Sequence, residues 1–153
     1  MSPQDPTTHP PCIIATATQF DADALVALYA SVGWTAYTRD PDALLAAVEG
    51  SDLVVTARAG ESLVGLARAI SDGVSIVYIQ DILVRESHQG RGIGTRLLQA
   101  VVDHYPQVRQ KVLLTDDRPE QLRFYAALGF HNTRDLHQTR LNAFVRIEDA
   151  DLA

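Results

Sequence analysis

Gln80-Asp81-Ile82-Leu83-Val84-Arg85-Glu86-Ser87-His88-Gln89-Gly90-Arg91-Gly92-Ile93-Gly94-Thr95-Arg96-Leu97-Leu98-Gln99 reads as a strand, a loop of glycines and arginines, and the first turns of a helix. Val77, Ile79, Ile82, Leu83 and Val84 form the β-branched, apolar run of a buried strand. Gly90, Gly92 and Gly94 fall at alternate positions. Without Cβ atoms there, successive backbone N–H groups can turn toward a common point. Ile93, Leu97, Leu98 and Val101 follow at helical spacing, with Arg96 and Gln99 on other faces. A helix that starts inside such a loop presents unpaired N–H donors and the positive end of its dipole, which suits an anion such as a phosphate.

Two common phosphate loops do not fit. In G-x-G-x-x-G counted from Gly90 the last position is Thr95, and no Gly-Lys-Ser/Thr follows for a P-loop. What remains, Gln89-Gly90-Arg91-Gly92-Ile93-Gly94, fits Gln/Arg-x-x-Gly-x-Gly. It resembles the pyrophosphate loop of the GNAT superfamily of acyl-CoA-dependent N-acetyltransferases. A second segment, Phe124-Tyr125-Ala126-Ala127-Leu128-Gly129-Phe130, follows a strand and a helix start and is similar to that family's last motif. Two motifs in the right order are far more specific than either alone.

The totals are compatible with this. A chain of 153 residues, 46% hydrophobic and 21% charged, is long enough for one domain with a substantial core. We expect a leader over residues 1–12, rich in proline, and one domain over 13–153. A net charge of −6 argues against nucleic acid as a partner. No apolar run approaches the roughly 20 residues of a membrane span, and no secretory signal is visible, so the expected location is cytoplasmic. The single Cys12 offers neither a disulfide nor a metal cluster, and the five histidines lack metal-ligand spacing, so no metal is expected. His88, just before the glycine loop, is a candidate phosphate contact.

Along the chain, an edge strand is expected over Ile13 to Thr18, then a helix capped by Asp21 over Ala22 to Ser31. A loop with Trp34 and Tyr37 follows, and Asp40-Pro41 opens a short helix through Val48. Leu53 to Ala59, Leu63 to Ile70 and Ser75 to Val84 read as an antiparallel meander with turns at Gly60-Glu61 and Asp72-Gly73. The helix after the glycines ends near Tyr105-Pro106, and Lys111 to Thr115 is a strand parallel to Ser75 to Val84. Pro119 starts a helix closed by Gly129, and Phe130 to Arg134 with Asn142 to Ile147 are expected as a final strand pair. The fold class is α/β (α+β). The resemblance implies a mixed, mostly antiparallel twisted sheet of about six to seven strands, flanked by about four helices, with a splayed parallel pair.

The resemblance also implies the site. Acetyl-CoA is the expected acyl donor, held through Ile82, Leu83 and Val84 and through Gln89, Gly90, Arg91, Gly92, Ile93, Gly94 and Thr95. The backbone N–H near Leu83 is placed at the thioester carbonyl. Tyr125 matches the family tyrosine that protonates the departing sulfur; a phenol of pKa about 10 can give its proton to a thiolate. Some members carry Glu-Asp before the apolar triplet, whereas this chain has Gln80-Asp81, and glutamine takes no proton. Strand alternation sets Tyr78, Gln80 and Ile82 against Ile79, Asp81 and Leu83, so Tyr78 and Gln80 can order a water chain to the amine. Asp81 is a candidate acceptor anchor, with a loop-tethering carboxylate as the alternative. Trp34 and Tyr37 lie in the loop that overhangs the family's acceptor site, as acceptor contacts or as lid anchors. Arg39, Arg58 and Arg68 are candidates for an acceptor carboxylate, against the ordinary solvated strand arginine. The expected activity is acetyl transfer to a primary amine of a small molecule by direct attack in a ternary complex. The alternatives are a catalytically silent acyl-CoA-binding or regulatory module and a protein N-terminal or lysine acetyltransferase. The oligomeric state is left open by the sequence; the resemblance makes a homodimer one option, with the final strands as candidate contacts.

Overall fold

The computed structural model describes residues 10–148. The chain falls into two compact units, Met1–Leu114 and Thr115–Ala153.

The first unit is a five-stranded sheet in the order β1-β2-β3-β4-β5, with β1 Cys12–Thr16, β2 Leu53–Ala59, β3 Ser62–Ser71, β4 Ile76–Val84 and β5 Gln110–Leu113. Neighbours are antiparallel except for β4 and β5, which are parallel. Helices α1 (Ala22–Ser31), α2 (Thr35–Thr38) and α3 (Pro41–Glu49) lie between β1 and β2, and α4 (Ile93–His104) makes the crossover from β4 to β5. Asp21 caps α1 by accepting from Asp23 N–H at 3.0 Å, and Asp40 caps α3 by accepting from Ala43 N–H at 3.1 Å. Both satisfy donors that the first helical turn leaves open.

Two apolar stripes cover the sheet. Leu25, Leu28 and Tyr29 of α1 and Leu44 and Val48 of α3 pack with Val54, Leu63, Leu66 and Leu83. Ile93, Leu97, Leu98 and Val101 of α4 are also buried, and Leu97 lies over Gly65, where an added Cβ would stand 3.1 Å from Leu97 Cδ1. Leu66 and Gly65 are neighbours on β3 and so face opposite ways, which puts α1 and α3 on one face and α4 on the other. Each fully buried leucine contributes roughly 1.5–3 kcal/mol. At the end of α4 the Tyr105 phenol donates to Asp52 at 2.5 Å, tying that end to the entry of β2.

The second unit contains α5 (Pro119–Ala127), Gly129 in the left-handed region at φ 87°, and a single 3-10 turn over Thr133–Asp135. The strands expected at Phe130 to Arg134 and Asn142 to Ile147 do not form, so among the described residues the sheet has five strands, not six or seven. Phe144 is 95% exposed, and Leu141, Val145 and Ile147 are exposed as well. Apolar residues make a segment able to pair, but only a partner edge makes it a strand, and the described residues of this unit offer none. Two smaller shifts also appear. Residues 1–9 of the expected leader lie outside the described residues while Cys12 already opens β1, and the loop with Trp34 and Tyr37 is partly the helix α2.

The turn into β4 rests on Asp72, whose carboxylate accepts from the N–H groups of Val74, Ser75 and Ile76 and from the Ser75 hydroxyl. The Ser75 hydroxyl first, then the three N–H groups, hold this carboxyl well below its ordinary range. A depressed folded-state value means the contribution is complete above the unfolded carboxylate pKa of about 3.9 and lost as pH falls below it. Asp72→Ala should therefore lower Tm at pH 7, and the gap to the parent protein should narrow in melts at pH 3.

Candidate active site

The parallel partners β4 and β5 share only four register positions, Ile76 with Gln110 through Ile79 with Leu113. β4 runs on to Val84, so among the described residues no strand lies beside 80–84 on the side away from β3. Main-chain groups alternate sides along a strand. Arg85 N–H donates to Val64 O on β3 at 2.8 Å, so Leu83, two residues earlier, also points toward β3. The N–H groups of Ile82 and Val84 therefore face the open edge. Of the expected strand contacts, these two offer donors there, and Leu83 does not. Val84 O, on the same side, accepts from Gln89 Nε2 at 2.9 Å.

Beyond β4 a 3-10 turn over Glu86–His88 leads into the glycine loop. Gly90 has φ 76° and Gly92 φ 79°, both left-handed, where an L side chain is strained; Gly94 lies within α4 and needs no such freedom. A Cβ at Gly90 or Gly92 would meet nothing within 4 Å, so backbone conformation rather than space demands glycine at both. Gly92 is the N-cap residue of α4 and no side chain caps the helix. The first-turn N–H groups of Ile93, Gly94 and Thr95 thus have no side-chain cap. Arg91 Nη2 donates to Ser87 O at 3.1 Å and Arg96 Nη1 to Cys12 O at 3.1 Å, holding the loop and α4 to their surroundings. An uncapped helix start behind two left-handed glycines fits a diphosphate bound by main-chain donors.

A polar cluster sits at the other end of this edge. Asp81 is 3% exposed and its carboxylate accepts from Arg68 Nε at 2.5 Å, Tyr29 Oη at 2.8 Å and Tyr37 Oη at 2.7 Å. Arg68, 5% exposed, is no free acceptor ligand, because its partner is this carboxylate; Arg68 Nη1 also reaches Ala47 O and the Ser51 hydroxyl. Burial disfavours the Arg68 charge, but the Asp81 carboxylate outweighs that and leaves the guanidinium above its ordinary value. Burial, then the Asp81 charge, push the Tyr29 phenol far up. Burial raises Tyr37 too, against the opposing hydrogen bond from Gln80. Both phenols therefore keep their protons and act as donors. Trp34 and Tyr37 pack against the core beside Tyr29, with ring centroids 5.8 Å and 4.9 Å from it. Tyr37 thus ties α2 to β4 through Asp81.

A β-bulge modifies the alternation read from the sequence. Arg68 pairs with Asp81 and Ala69 with Ile79, so Gln80 has no partner on β3. Cross-strand partners share a face, which carries Asp81 and Tyr78 to the side of Arg68 and Ile70, and Ile79 to the opposite side. The strand signal alone sets Tyr78 against Asp81; the extra residue brings them onto one face. Burial first, then the Asp81 charge, raise the Tyr78 phenol. The bulged Gln80 is exposed and its Nε2 donates to Tyr37 Oη at 3.1 Å. Tyr29 escaped the sequence reading as a member of a site, and Arg68 was read as a candidate for an acceptor carboxylate or a solvated strand arginine rather than as the partner of Asp81. The one signal for them is a pair of opposite charges at facing positions of a hairpin.

Tyr125 lies on α5 in the second unit, edge-on to Phe124 at 5.0 Å and to Phe130 at 6.1 Å. Burial raises its phenol above the ordinary value, opposed by a hydrogen bond with Thr115. Among the described residues no group of three His, Cys, Asp or Glu could hold a metal, and no helix is long and apolar enough to cross a membrane.

A parallel pair in which β4 outruns β5, followed by a glycine loop and an uncapped helix start, defines a mixed α/β protein. Residues 15–130 match the Acetyltransferase (GNAT) family, and the chain belongs to that family. A GNAT family acetyltransferase structure from Streptococcus pneumoniae TIGR4 superposes with TM-score 0.76 at 27% identity, covering 91% of this chain and 99% of that one. An aminoglycoside N-acetyltransferase solved with CoA shares the fold, with TM-score 0.65 at 21% identity over 95% of this chain and 99% of its own. The serotonin N-acetyltransferase 2, chloroplastic, of Oryza sativa subsp. japonica is 29% identical over 119 residues, 75% of this chain and 58% of its own length. An N-acetyltransferase of Pyropia yezoensis is 28% identical over 104 residues, 65% of this chain. The chain spans 33% to 59% of the length of the curated relatives it matches.

Removing Asp81 would strand a buried guanidinium. Asp81→Ala should cost about 3–5 kcal/mol of stability in urea unfolding. Replacing Arg68 and Asp81 together by Met and Leu should cost clearly less than that.

Proposed function

We propose that the chain transfers acetyl from acetyl-CoA to a primary amine of a small molecule, by direct attack in a ternary complex. The observation that carries this is the cradle of Gly90, Gly92 and the uncapped start of α4, next to a β4 edge with free donors at Ile82 and Val84. Acetyl-CoA would supply the activated acyl group, and every other element of the reading belongs to the protein. The loop from Gln89 to Thr95 would hold the diphosphate, and the β4 edge would orient the thioester carbonyl by hydrogen bonding. Tyr125, whose phenol is raised and so protonated at working pH, would deliver the proton to the leaving sulfur. Tyr78 and Gln80 would order the water that takes the proton of the amine, and Trp34 and Tyr37 would border the acceptor.

The rice relative's name makes an arylalkylamine the first acceptor to try, with a polyamine, an amino acid and a peptide beside it. One observation favours a second reading, a catalytically silent acyl-CoA-binding module: Gln80 takes no proton, and the Asp81 carboxylate is consumed by three donors. Thiol release from acetyl-CoA in the presence of these amines decides between them, because a silent module binds and releases none.

Two outcomes are expected. Gly92→Ala forces an L residue into the left-handed region at a cost of about 1–2 kcal/mol, so coenzyme A should bind roughly tenfold more weakly by calorimetry. Tyr125→Phe should lower kcat roughly 100-fold while leaving coenzyme A affinity intact. The parent enzyme should lose activity on the acid side as the amine becomes protonated, and on the alkaline side as pH rises through the elevated phenol value. Unchanged turnover in Tyr125→Phe would remove that residue as the acid.

A further inference from the structure

The hydrogen bonds around Asp81 leave each group a single role. A carboxylate paired with Arg68 only accepts, and the Tyr37 phenol has one proton, which it gives to Asp81 Oδ1 at 2.7 Å. The Tyr37 oxygen can then only accept, and it does so from Gln80 Nε2 at 3.1 Å and from Arg68 Nη2 at 3.4 Å. A flipped Gln80 amide would set its oxygen against a phenol oxygen with no proton to offer. The network therefore fixes the amide with its nitrogen toward Tyr37 and its oxygen away from it. Gln80 is the bulged residue, exposed, at the point where β4 has lost β5 as a neighbour.

We propose that Gln80 Oε1, locked in this orientation by Tyr37 and Asp81, accepts an N–H of the amine substrate and so selects for a nitrogen donor at the open β4 edge. The inference rests on the acyl-transfer reading for its substrate and on the local geometry for the lock. A neutral oxygen has a particular use here. A carboxylate in its place would favour the ammonium form and hold the nucleophile protonated, whereas an amide oxygen orients the nitrogen with far less bias toward the charged form. Anionic or acceptor-only groups gain nothing from it. Tyr37 acts as a positioning residue through Gln80.

Two measurements on the full chain test this. In NMR spectra of the ligand-free protein, one Gln80 side-chain N–H should be distinct and slow to exchange with water, and Tyr37→Phe should return it to the behaviour of a free glutamine. With tryptamine and spermidine as probes, Gln80→Leu should raise the amine KM about tenfold and leave the acetyl-CoA KM unchanged. Tyr37→Phe should raise the amine KM less, and the double variant should be no worse than Gln80→Leu alone. Gln80 is exposed, so its replacement does not threaten the fold if Tyr37→Phe does. A free-glutamine signature in the parent protein overturns the lock whatever the activity. An unchanged amine KM in Gln80→Leu, or additive effects in the double variant, overturns the contact with the amine. Thiol release from none of the four acceptor classes overturns the acyl-transfer reading and the amine contact with it, leaving the lock to the NMR result.

Discussion

A carboxylate with no water around it has to be surrounded by donors, and Asp81 is the point at which this chain meets that demand. Desolvating an ion costs several kcal/mol, and a single partner seldom repays it. Here the guanidinium of Arg68 and two phenols share the task, from β3, α1 and α2 respectively. Satisfying one buried charge thus fixes where three elements stand relative to β4. The short helix α2 has no buried residues of its own, so its position over the sheet depends largely on this bond and on the rings of Trp34 and Tyr37 against the core.

The same strand carries two departures from regular pairing, and they fall together. The bulge removes Gln80 from the β3 ladder, and β5 pairs no further than Ile79. Between them the chain gains main-chain donors without a strand partner and a side chain freed from strict alternation. An exposed edge is ordinarily a hazard, since it can recruit another strand. In this fold the glycine loop and α4 follow directly from that edge, and Gln89 turns back to cap Val84 O. On the proposed reading the edge becomes a place for a ligand, because its neighbours along the chain already point donors at the same region.

What the sequence revealed follows from how local each cause is. Gly90 and Gly92 are legible because a left-handed backbone is a property of one residue, and the caps at Asp21 and Asp40 because a cap and its helix are adjacent. The meander from Leu53 to Val84 and the parallel strand after α4 were legible from turn residues and from the length of a crossover. The Arg68–Asp81 pair was not, because it depends on hairpin register and on an extra residue that period-two reading cannot see. For want of that register Arg68 read as a ligand for an acceptor carboxylate or an ordinary solvated strand arginine, not as a buried partner. The segment from Asn142 to Ile147 erred in the opposite direction: its apolar residues suit a strand, but a strand is a relation between two segments and the sequence of one describes only that one.

The division between donor and acceptor chemistry follows from the same distinction. The proposed donor side is made of main-chain groups, which depend on glycines and on a helix start and so recur wherever the motif does. The proposed acceptor side is made of side chains on α1, α2, β3 and the bulge of β4, each set by packing particular to this chain. A family assignment therefore constrains the first far more than the second. Within the second, the buried charge leaves little freedom. Once Arg68 and Asp81 are paired, the proton of Tyr37 is committed, and with it the orientation of Gln80. On the proposed reading the choice of amine rests less on a charged group at the surface than on which end of an amide is left facing outward.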